Sequence, residues 1–139
     1  MSATDPIEFA AIAPELFVPD VDASVRFYTE RLGFRLLRAD PPEADGRTGF
    51  AIVARGDAMI MLADERMLRG RGEPIGAPRG RNIDIRIMAA DVDALYAALQ
   101  AAGADIVAPL RDRGYGLLDF VVRDPDGFGL RFAWPVAKP

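Results

Sequence analysis

Apolar and polar residues alternate in several short segments of the chain, and a period of two is typical of a half-buried β-strand. In residues 83–88, three isoleucines alternate with Asp84, Arg86 and Met88. If helices pack on the isoleucine face, Asp84 and Arg86 lie on the opposite face of the sheet. Because a twisted sheet is curved, we expect a cavity on that opposite face.

Residues 123–132 predict a tight turn between two strands. Positions 124–127 read Asp-Pro-Asp-Gly, in which proline presets one corner, the aspartates accept nearby backbone NH groups and glycine tolerates a positive φ. Alternating apolar segments lie on both sides, at residues 117–122 and 130–134. We expect Leu130, Phe132 and Trp134 in the core, and Arg131 on the cavity side together with Asp119.

A duplication organises the chain. The tetrapeptide Asp-Val-Asp-Ala at residues 20–23 recurs at 91–94, and in each copy a segment with helical spacing follows and ends at a glycine. Asp20 and Asp91 can serve as N-caps. Before each helix there is one strand-like segment and after it there are three, so both units have the order βαβββ.

We therefore predict an α+β protein. Residues 1–139 form a single domain that contains an internal repeat, residues 10–63 and 82–135. Residues 64–81 are rich in glycine, proline and arginine and lack periodicity, which favours a flexible linker between the repeats. In the first strand, Leu16 and Val18 are expected in the core, while Glu15 and Phe17 face the cavity.

Composition excludes several classes of function. The chain has no cysteine and no histidine, which removes thiol chemistry, the commonest general base and the preferred transition-metal ligand. A net charge of −4 argues against nucleic acid as a partner. No apolar segment reaches the length of a membrane span, and the N-terminus has acids where a signal peptide would have basic residues. We expect a cytoplasmic protein without a membrane partner.

The duplicated βαβββ order, Phe27-Tyr28 followed by Leu32-Gly33-Phe34, and the closing Arg-Asp-Pro-Asp-Gly resemble the vicinal oxygen chelate superfamily. This group includes glyoxalase I, extradiol dioxygenases and the bleomycin-resistance proteins. The resemblance covers roughly residues 15–132 and is closest to the bleomycin-resistance-like, metal-free branch. It implies curved mixed sheets with helices on the outer face, and a homodimer whose cleft is completed by both subunits.

The positions of the superfamily's metal ligands argue against a metal here. The resemblance carries the four ligand positions to Ala13, Met61, Asp84 and Arg131, of which only Asp84 can bind a cation, and Arg131 adds a positive charge. We expect no metal and no cofactor. Asp84 and Arg131 are instead predicted to form a charge-assisted pair, the alternative being that both are solvated without contact. Arg86 is expected to join Asp84 or Glu15.

Residues 115–120 resemble the aromatic-Gly-x-x-acid-Phe segment of bleomycin-resistance-like members. Asp119 would suit a cationic drug, or it is a structural carboxylate paired with Arg111, Arg113 or Arg123. Tyr115 would stack on a planar ligand at the rim or close the sheet edge. Three methionines (Met59, Met61 and Met88) form an adaptable lining or pack as ordinary strand residues. The predicted ligand-binding residues are Glu15, Phe17, Met61, Asp84, Arg86, Tyr115, Asp119 and Arg131.

Three hypotheses about function follow. The first is a metal-independent binding protein that sequesters an aromatic or cationic small molecule in a dimer cleft, as in antibiotic resistance. The second is a lyase, isomerase or dioxygenase of the same superfamily with an atypical site, in which Glu15 or Asp84 acts as general base. The third is a regulatory protein with a vestigial cleft. No catalytic residue is assigned.

Overall fold

The structure is a computed structural model and describes residues 6–137. It contains two four-stranded sheets, one from each half of the chain. The elements are β1 (Glu15–Val18), α1 (Val21–Arg26) with a π-helical continuation (Phe27–Arg31), β2 (Arg35–Ala39), β3 (Phe50–Arg55), β4 (Ala58–Asp64), a 3-10 helix (Glu65–Arg71), β5 (Asp84–Met88), α2 (Val92–Ala101), β6 (Asp105–Asp112), β7 (Leu117–Arg123) and β8 (Gly129–Pro135).

The two sheets share one topology. The strand order is β1-β4-β3-β2 in the first sheet and β5-β8-β7-β6 in the second. In each, the first strand runs parallel to the last and the remaining pairs are antiparallel. Glu15 is opposite Met61, and Arg86 is opposite Arg131, so the ladders match in register as well. The predicted α+β fold with two βαβββ modules is confirmed.

The helices begin at the repeated tetrapeptides but are capped differently. Asp20 accepts a 3.0 Å hydrogen bond from the backbone NH of Ala23, which satisfies one free donor at the start of α1. Asp91 occupies the N-cap position of α2 as predicted, but its side chain makes no capping hydrogen bond. Val21 and Tyr28 in the first module, and Val92 and Leu99 in the second, are buried apolar positions of the helical segments.

One hydrophobic core joins the modules. Its buried residues come from strands of both sheets and from both helices, and they form a single cluster. Tyr28 packs edge to face against Phe34, and Phe120 stacks on Phe132 with ring centroids 5.4 Å apart. Burial of large aromatic side chains is a main source of stability in a domain of this size.

The β7–β8 hairpin lies where the sequence predicts it. Asp124 Oδ1 accepts hydrogen bonds from the backbone NH groups of Asp126 and Phe128, both 2.9 Å long. Gly127 has φ +98°, which a residue with a side chain rarely adopts. The turn therefore forms from the residue types that the motif supplies.

Two expected core residues are exposed. Trp134 is 39% exposed because it lies near the end of β8, opposite Leu118, which is itself only partly buried at the margin of the core. Ile83 is 60% exposed because β5 begins one residue later, at Asp84, so Ile83 is outside the ladder. Leu16, Val18, Leu130 and Phe132 are buried as predicted.

The segment between the sheets is more ordered than expected of a flexible linker. It contains the 3-10 helix Glu65–Arg71, which starts where Asp64 accepts a 2.9 Å hydrogen bond from the backbone NH of Arg66. Further along, the Arg79 guanidinium forms two hydrogen bonds with the Glu65 carboxylate, of 2.7 and 2.9 Å. The Arg79–Glu65 contact joins the two ends of the segment to each other, next to the end of β4 at Asp64.

Candidate functional site

The face of the second sheet that points away from the core is called here the open face. It carries Asp84 and Arg86 from β5, Arg131 from β8 and Asp119 from β7. Successive side chains of a strand point to opposite faces of the sheet. The apolar residues that alternate with these charged ones pack toward the core, so the charged side chains share the opposite face; the apolar residues are Ile85, Ile87, Leu130 and Phe132. An unusual density of charge on one sheet face makes it a candidate site.

Asp84 and Arg131 form the predicted ion pair. Arg131 Nη2 lies 3.0 Å and Nε 3.3 Å from Asp84 Oδ2. Room for the carboxylate comes from Gly129, where a Cβ would lie 2.4 Å from Asp84 Oδ1. The expected charge-assisted pair is thus confirmed.

Asp119 is a fully buried carboxylate whose oxygens are held by the protein itself. Its Oδ1 accepts hydrogen bonds from Arg113 Nε at 2.7 Å and from Arg131 Nη1 at 3.0 Å, and its Oδ2 accepts one from the Tyr115 hydroxyl. Burial disfavours the charged form, but these hydrogen bonds and the charge of Arg131 outweigh it, so the pKa of Asp119 is lowered. Of the two alternatives for Asp119, the structure shows the structural carboxylate.

Arg113 was among the partners expected from the sequence, whereas Arg131 was not. Asp119 and Arg131 lie on neighbouring strands, β7 and β8, and their contact depends on a strand register that the sequence does not give. The contact could have been predicted from the alternation of the two strands, which places both side chains on the cavity side of the sheet. Arg131 therefore bridges both aspartates, Asp84 and Asp119.

Arg86 is the charged residue of the open face that forms no ion pair with the described part of the chain. Its guanidinium carbon lies 5.8 Å from the centroid of the Tyr115 ring, a cation–π contact, and among residues 6–137 it forms no ion pair. The expected pairing with Asp84 or Glu15 is wrong, because Arg131 takes Asp84, and Glu15 lies on the other sheet. Arg86 and Tyr115 are both exposed and therefore accessible to a ligand.

A cavity of about 720 Å³ wraps around the free edge of β5, and Arg86 lies on its wall. Both modules contribute to it, and most of its lining is apolar. Met59 and Met88 take part, as expected for an adaptable lining, whereas Met61 does not. Residues at the mouth and in the wall include Ile12, Phe34, Met59, Met88 and Leu95.

The predicted site residues divide between the two sheets. Asp84, Arg86, Tyr115, Asp119 and Arg131 form one connected group on the second sheet. Hydrogen bonds and one cation–π contact link its members, so the group acts as a single polar network.

Glu15, Phe17 and Met61 lie on the corresponding face of the first sheet. There Phe17 is half-buried beneath the Arg71 guanidinium, whose carbon is 5.3 Å from the ring centroid. In the part of the chain that the structure describes, no hydrogen bond or ion pair joins this trio to the charged group on the second sheet. Direct side-chain contacts therefore connect five of the eight predicted residues, and these three lie outside that network.

The residues present do not fit the metal that some superfamily members bind. Ala13 and Met61 offer no oxygen or nitrogen ligand from their side chains, and Asp84 is already bonded to a guanidinium. Within residues 6–137 there is no group of three acidic, histidine or cysteine side chains placed to hold an ion.

The same part of the chain has no helix long and apolar enough to cross a bilayer.

The fold and its duplicated modules define a family. Residues 8–132 match the model of the Glyoxalase/Bleomycin resistance protein/Dioxygenase superfamily, and the chain belongs to this superfamily. An uncharacterized protein from Mycobacterium bovis is 30% identical over 131 residues, which is 92% of this chain and 85% of that protein.

Solved structures show the same relationship. TioX from Micromonospora sp. ML1 superposes with a TM-score of 0.68 at 30% identity, covering 92% of this chain and all of that one. A bleomycin-binding protein from Streptomyces verticillus, complexed with copper(II)-bleomycin, gives 0.64 at 25% identity, covering 95% and 99%. TnmS3, an antibiotic binding protein from Streptomyces sp. CB03234, gives 0.71 at 25% identity, covering 94% and 99%.

Proposed function

We propose that this protein is a metal-independent binding protein that sequesters an aromatic small molecule, with the ligand held beside Arg86 and Tyr115. The observation that carries the proposal is the state of Arg86: an exposed guanidinium without a carboxylate partner among residues 6–137, next to an exposed tyrosine ring and on the wall of a largely apolar cavity. Two similar solved structures are of a bleomycin-binding protein and an antibiotic binding protein.

The size and lining of the cavity support a drug-sized ligand. Ligand pockets usually have volumes of about 300–1,000 Å³ and combine apolar walls with a few polar anchors. The cavity at β5 has about 720 Å³, and its methionines can adjust to ligands of different shape. A planar ring system can lie on the tyrosine or the guanidinium, as both present flat faces.

The charges favour a carbonyl-bearing or anionic aromatic ligand over a cationic one. Asp84 and Asp119 are both engaged by arginines, so neither is free to attract a cation. Arg86 can donate hydrogen bonds to a ligand oxygen. The sequence assigned a cationic drug to Asp119, which Arg113 and Arg131 now engage, and of the predicted carboxylates only the exposed Glu15 of the other sheet forms no ion pair among residues 6–137.

Acid–base catalysis by the aspartates is a weaker proposal. A carboxylate bonded to a guanidinium has a lowered proton affinity and is a poor general base. This applies to Asp119, whose pKa is lowered, and the pKa of its partner Arg131 is raised because hydrogen bonds with Asp84 and Asp119 outweigh desolvation. Glu15, the other base considered from the sequence besides Asp84, lies on the first sheet, whereas Arg131, the expected oxyanion partner, lies on the second. We therefore propose binding without a reaction.

We further propose that a second copy of the chain completes the cleft. Phe9 is 95% and Ile12 is 93% exposed, and both precede β1 in the chain. Large apolar side chains at such exposure are typical of a surface that a partner covers. Light scattering after size exclusion should give twice the chain mass, and a Phe9→Ser, Ile12→Ser double variant should shift the population toward the monomer. A monomeric parent protein would refute this part.

Binding can be tested with ring systems of similar size and different charge. Fluorescence titration should show saturable binding of 1,8-dihydroxyanthraquinone, a neutral planar carbonyl compound, and weaker binding of the cation proflavine. Arg86→Gln should weaken binding of the anthraquinone about tenfold, the loss expected for one charge-assisted hydrogen bond. Arg26→Gln, an exposed arginine on α1, is the matched control. Equal affinity in both variants would refute the role of Arg86.

A further inference from the structure

We propose a second binding site, for an organic anion, in the cavity between the segment that joins the sheets and the start of β8. It goes beyond the proposed function because it uses other residues and another cavity. Its volume is about 630 Å³, within the range of small-molecule sites. The two cavities share no lining residue: Asp84, at the start of β5, lines this one, and Arg86, two residues further along the strand, lines the other.

The wall formed by residues 78–82 is held in place by close packing. A Cβ at Gly80 would lie 2.7 Å from the backbone oxygen of Gly127 and 2.8 Å from Phe128 Cα, so the two backbones are in direct contact. The hydrogen bonds between Arg79 and Glu65 secure the preceding residue. Because these contacts fix the wall against the β7–β8 turn, the cavity is preformed rather than created by a ligand.

The charge of the cavity is positive. Three arginines and one aspartate line it. Glu65 neutralises Arg79, and Arg131 neutralises Asp84. Arg81 and Arg123 are left, exposed and, among residues 6–137, without a hydrogen bond or ion pair from their side chains. Two free guanidiniums facing one cavity favour a carboxylate, sulfonate or phosphate, which they can bind with paired hydrogen bonds.

The apolar residues that line the cavity favour an anion that also carries an apolar group. Ile83, Val107 and Val121 line the same cavity, and Ile83 and Val107 are 60% and 45% exposed, so they have apolar surface to cover. A ligand with an acidic head and a compact ring or short chain would bury this surface while its head meets the arginines. Inorganic phosphate alone would leave the apolar part of the site uncovered.

The probe for the test is 8-anilinonaphthalene-1-sulfonate, an aromatic anion whose fluorescence rises on binding. We expect saturable binding to the full-length protein, weakened about tenfold by Arg81→Gln or Arg123→Gln and more by both together. Arg69→Gln, which changes an exposed arginine of the 3-10 helix, should leave the affinity unchanged. The neutral analogue N-phenyl-1-naphthylamine should bind the parent and the variants alike.

The outcomes separate this site from the one at Arg86. Loss of sulfonate binding in the Arg81→Gln, Arg123→Gln variant with anthraquinone binding unchanged supports two sites. Loss of sulfonate binding only in Arg86→Gln would assign the anion to the first site and overturn the inference. Absence of binding by the parent protein, or equal affinity in the double variant and Arg69→Gln, would overturn it as well. Unfolding curves of the variants confirm that the exposed substitutions leave the fold intact.

Discussion

The Tyr28 hydroxyl donates a 2.7 Å hydrogen bond to Asp124 Oδ2 and so joins the helical segment of the first module to the β7–β8 turn of the second. Both residues are buried. Ser24 adds a 3.0 Å hydrogen bond to Asp126, and Arg31 donates a 2.9 Å bond to the Ala102 carbonyl. The two copies of the repeat are thus connected through polar contacts as well as through the core.

Replacement of Tyr28 by phenylalanine should destabilise the protein by about 1–3 kcal/mol, because the buried Asp124 carboxylate loses a donor that water cannot replace. Urea unfolding followed by tryptophan fluorescence measures the change. Tyr96→Phe is the matched control, since Tyr96 packs on Phe120 and its hydroxyl forms no hydrogen bond within residues 6–137. Its effect should be less than about 0.5 kcal/mol. Equal losses in the two variants would contradict the assigned role of the hydroxyl.

The network at Asp119 should make stability depend on pH in the acid range. The pKa of Asp119 is lowered in the folded state, so its ionised form contributes stability above the unfolded value of about 3.9. That contribution is lost as the pH falls through the folded pKa. Asp119→Asn should cost about 2 kcal/mol at pH 7, because it leaves Arg113 and Arg131 without the charge they share.

The measurement is the difference in unfolding free energy between parent and Asp119→Asn, taken from pH 7 down to pH 3. This difference should shrink toward acid. Asp105→Asn changes an exposed aspartate on β6 whose side chain has no hydrogen-bonded partner within residues 6–137, and its difference from the parent should stay small throughout. A constant penalty for Asp119→Asn over the whole range would show that the charge of Asp119 is not what stabilises the fold.

Gly80→Ala should be more destabilising than an alanine at another glycine with positive φ. Gly80 has φ +70° and contacts the backbone of the β7–β8 turn, whereas Gly76 has φ +97° and no atom within 4 Å of the point where a methyl group would lie. Alanine at Gly76 brings only the conformational cost, about 1 kcal/mol. At Gly80 the methyl group must also displace backbone, and we expect a total loss of about 2–4 kcal/mol. Thermal unfolding of the two variants compares them directly, and equal midpoints would mean that the segment is not fixed against the turn.

Protein purified without chelators should contain no stoichiometric divalent metal. Arg131 donates hydrogen bonds to both Asp84 and Asp119, so a cation at either carboxylate would lie beside the positive charge of the guanidinium. Elemental analysis by mass spectrometry is the direct measurement. Stoichiometric Ni, Zn, Mn or Fe that disappears in Asp84→Ala would contradict this expectation and would reopen the enzymatic hypothesis.

Local sequence patterns determined the repeated βαβββ order, the β7–β8 turn and the side of the sheet on which Asp84, Arg86 and Arg131 lie. These features follow from periodicity and turn chemistry, which act between residues close together in the chain. The pairing of Asp84 with Arg131 was also within reach, because the family resemblance places both residues at ligand positions that share one metal in relatives.

Only the tertiary structure decided how the remaining charges pair. Arg131 also binds Asp119, Arg113 completes that contact, and Arg86 is left facing Tyr115. Strand register and the conformation of the connection between β6 and β7 place these groups, and neither is encoded by nearby residues alone. The exposure of Trp134 has the same origin, since alternation assigns a side chain to a face but the extent of the core determines whether that face is covered there.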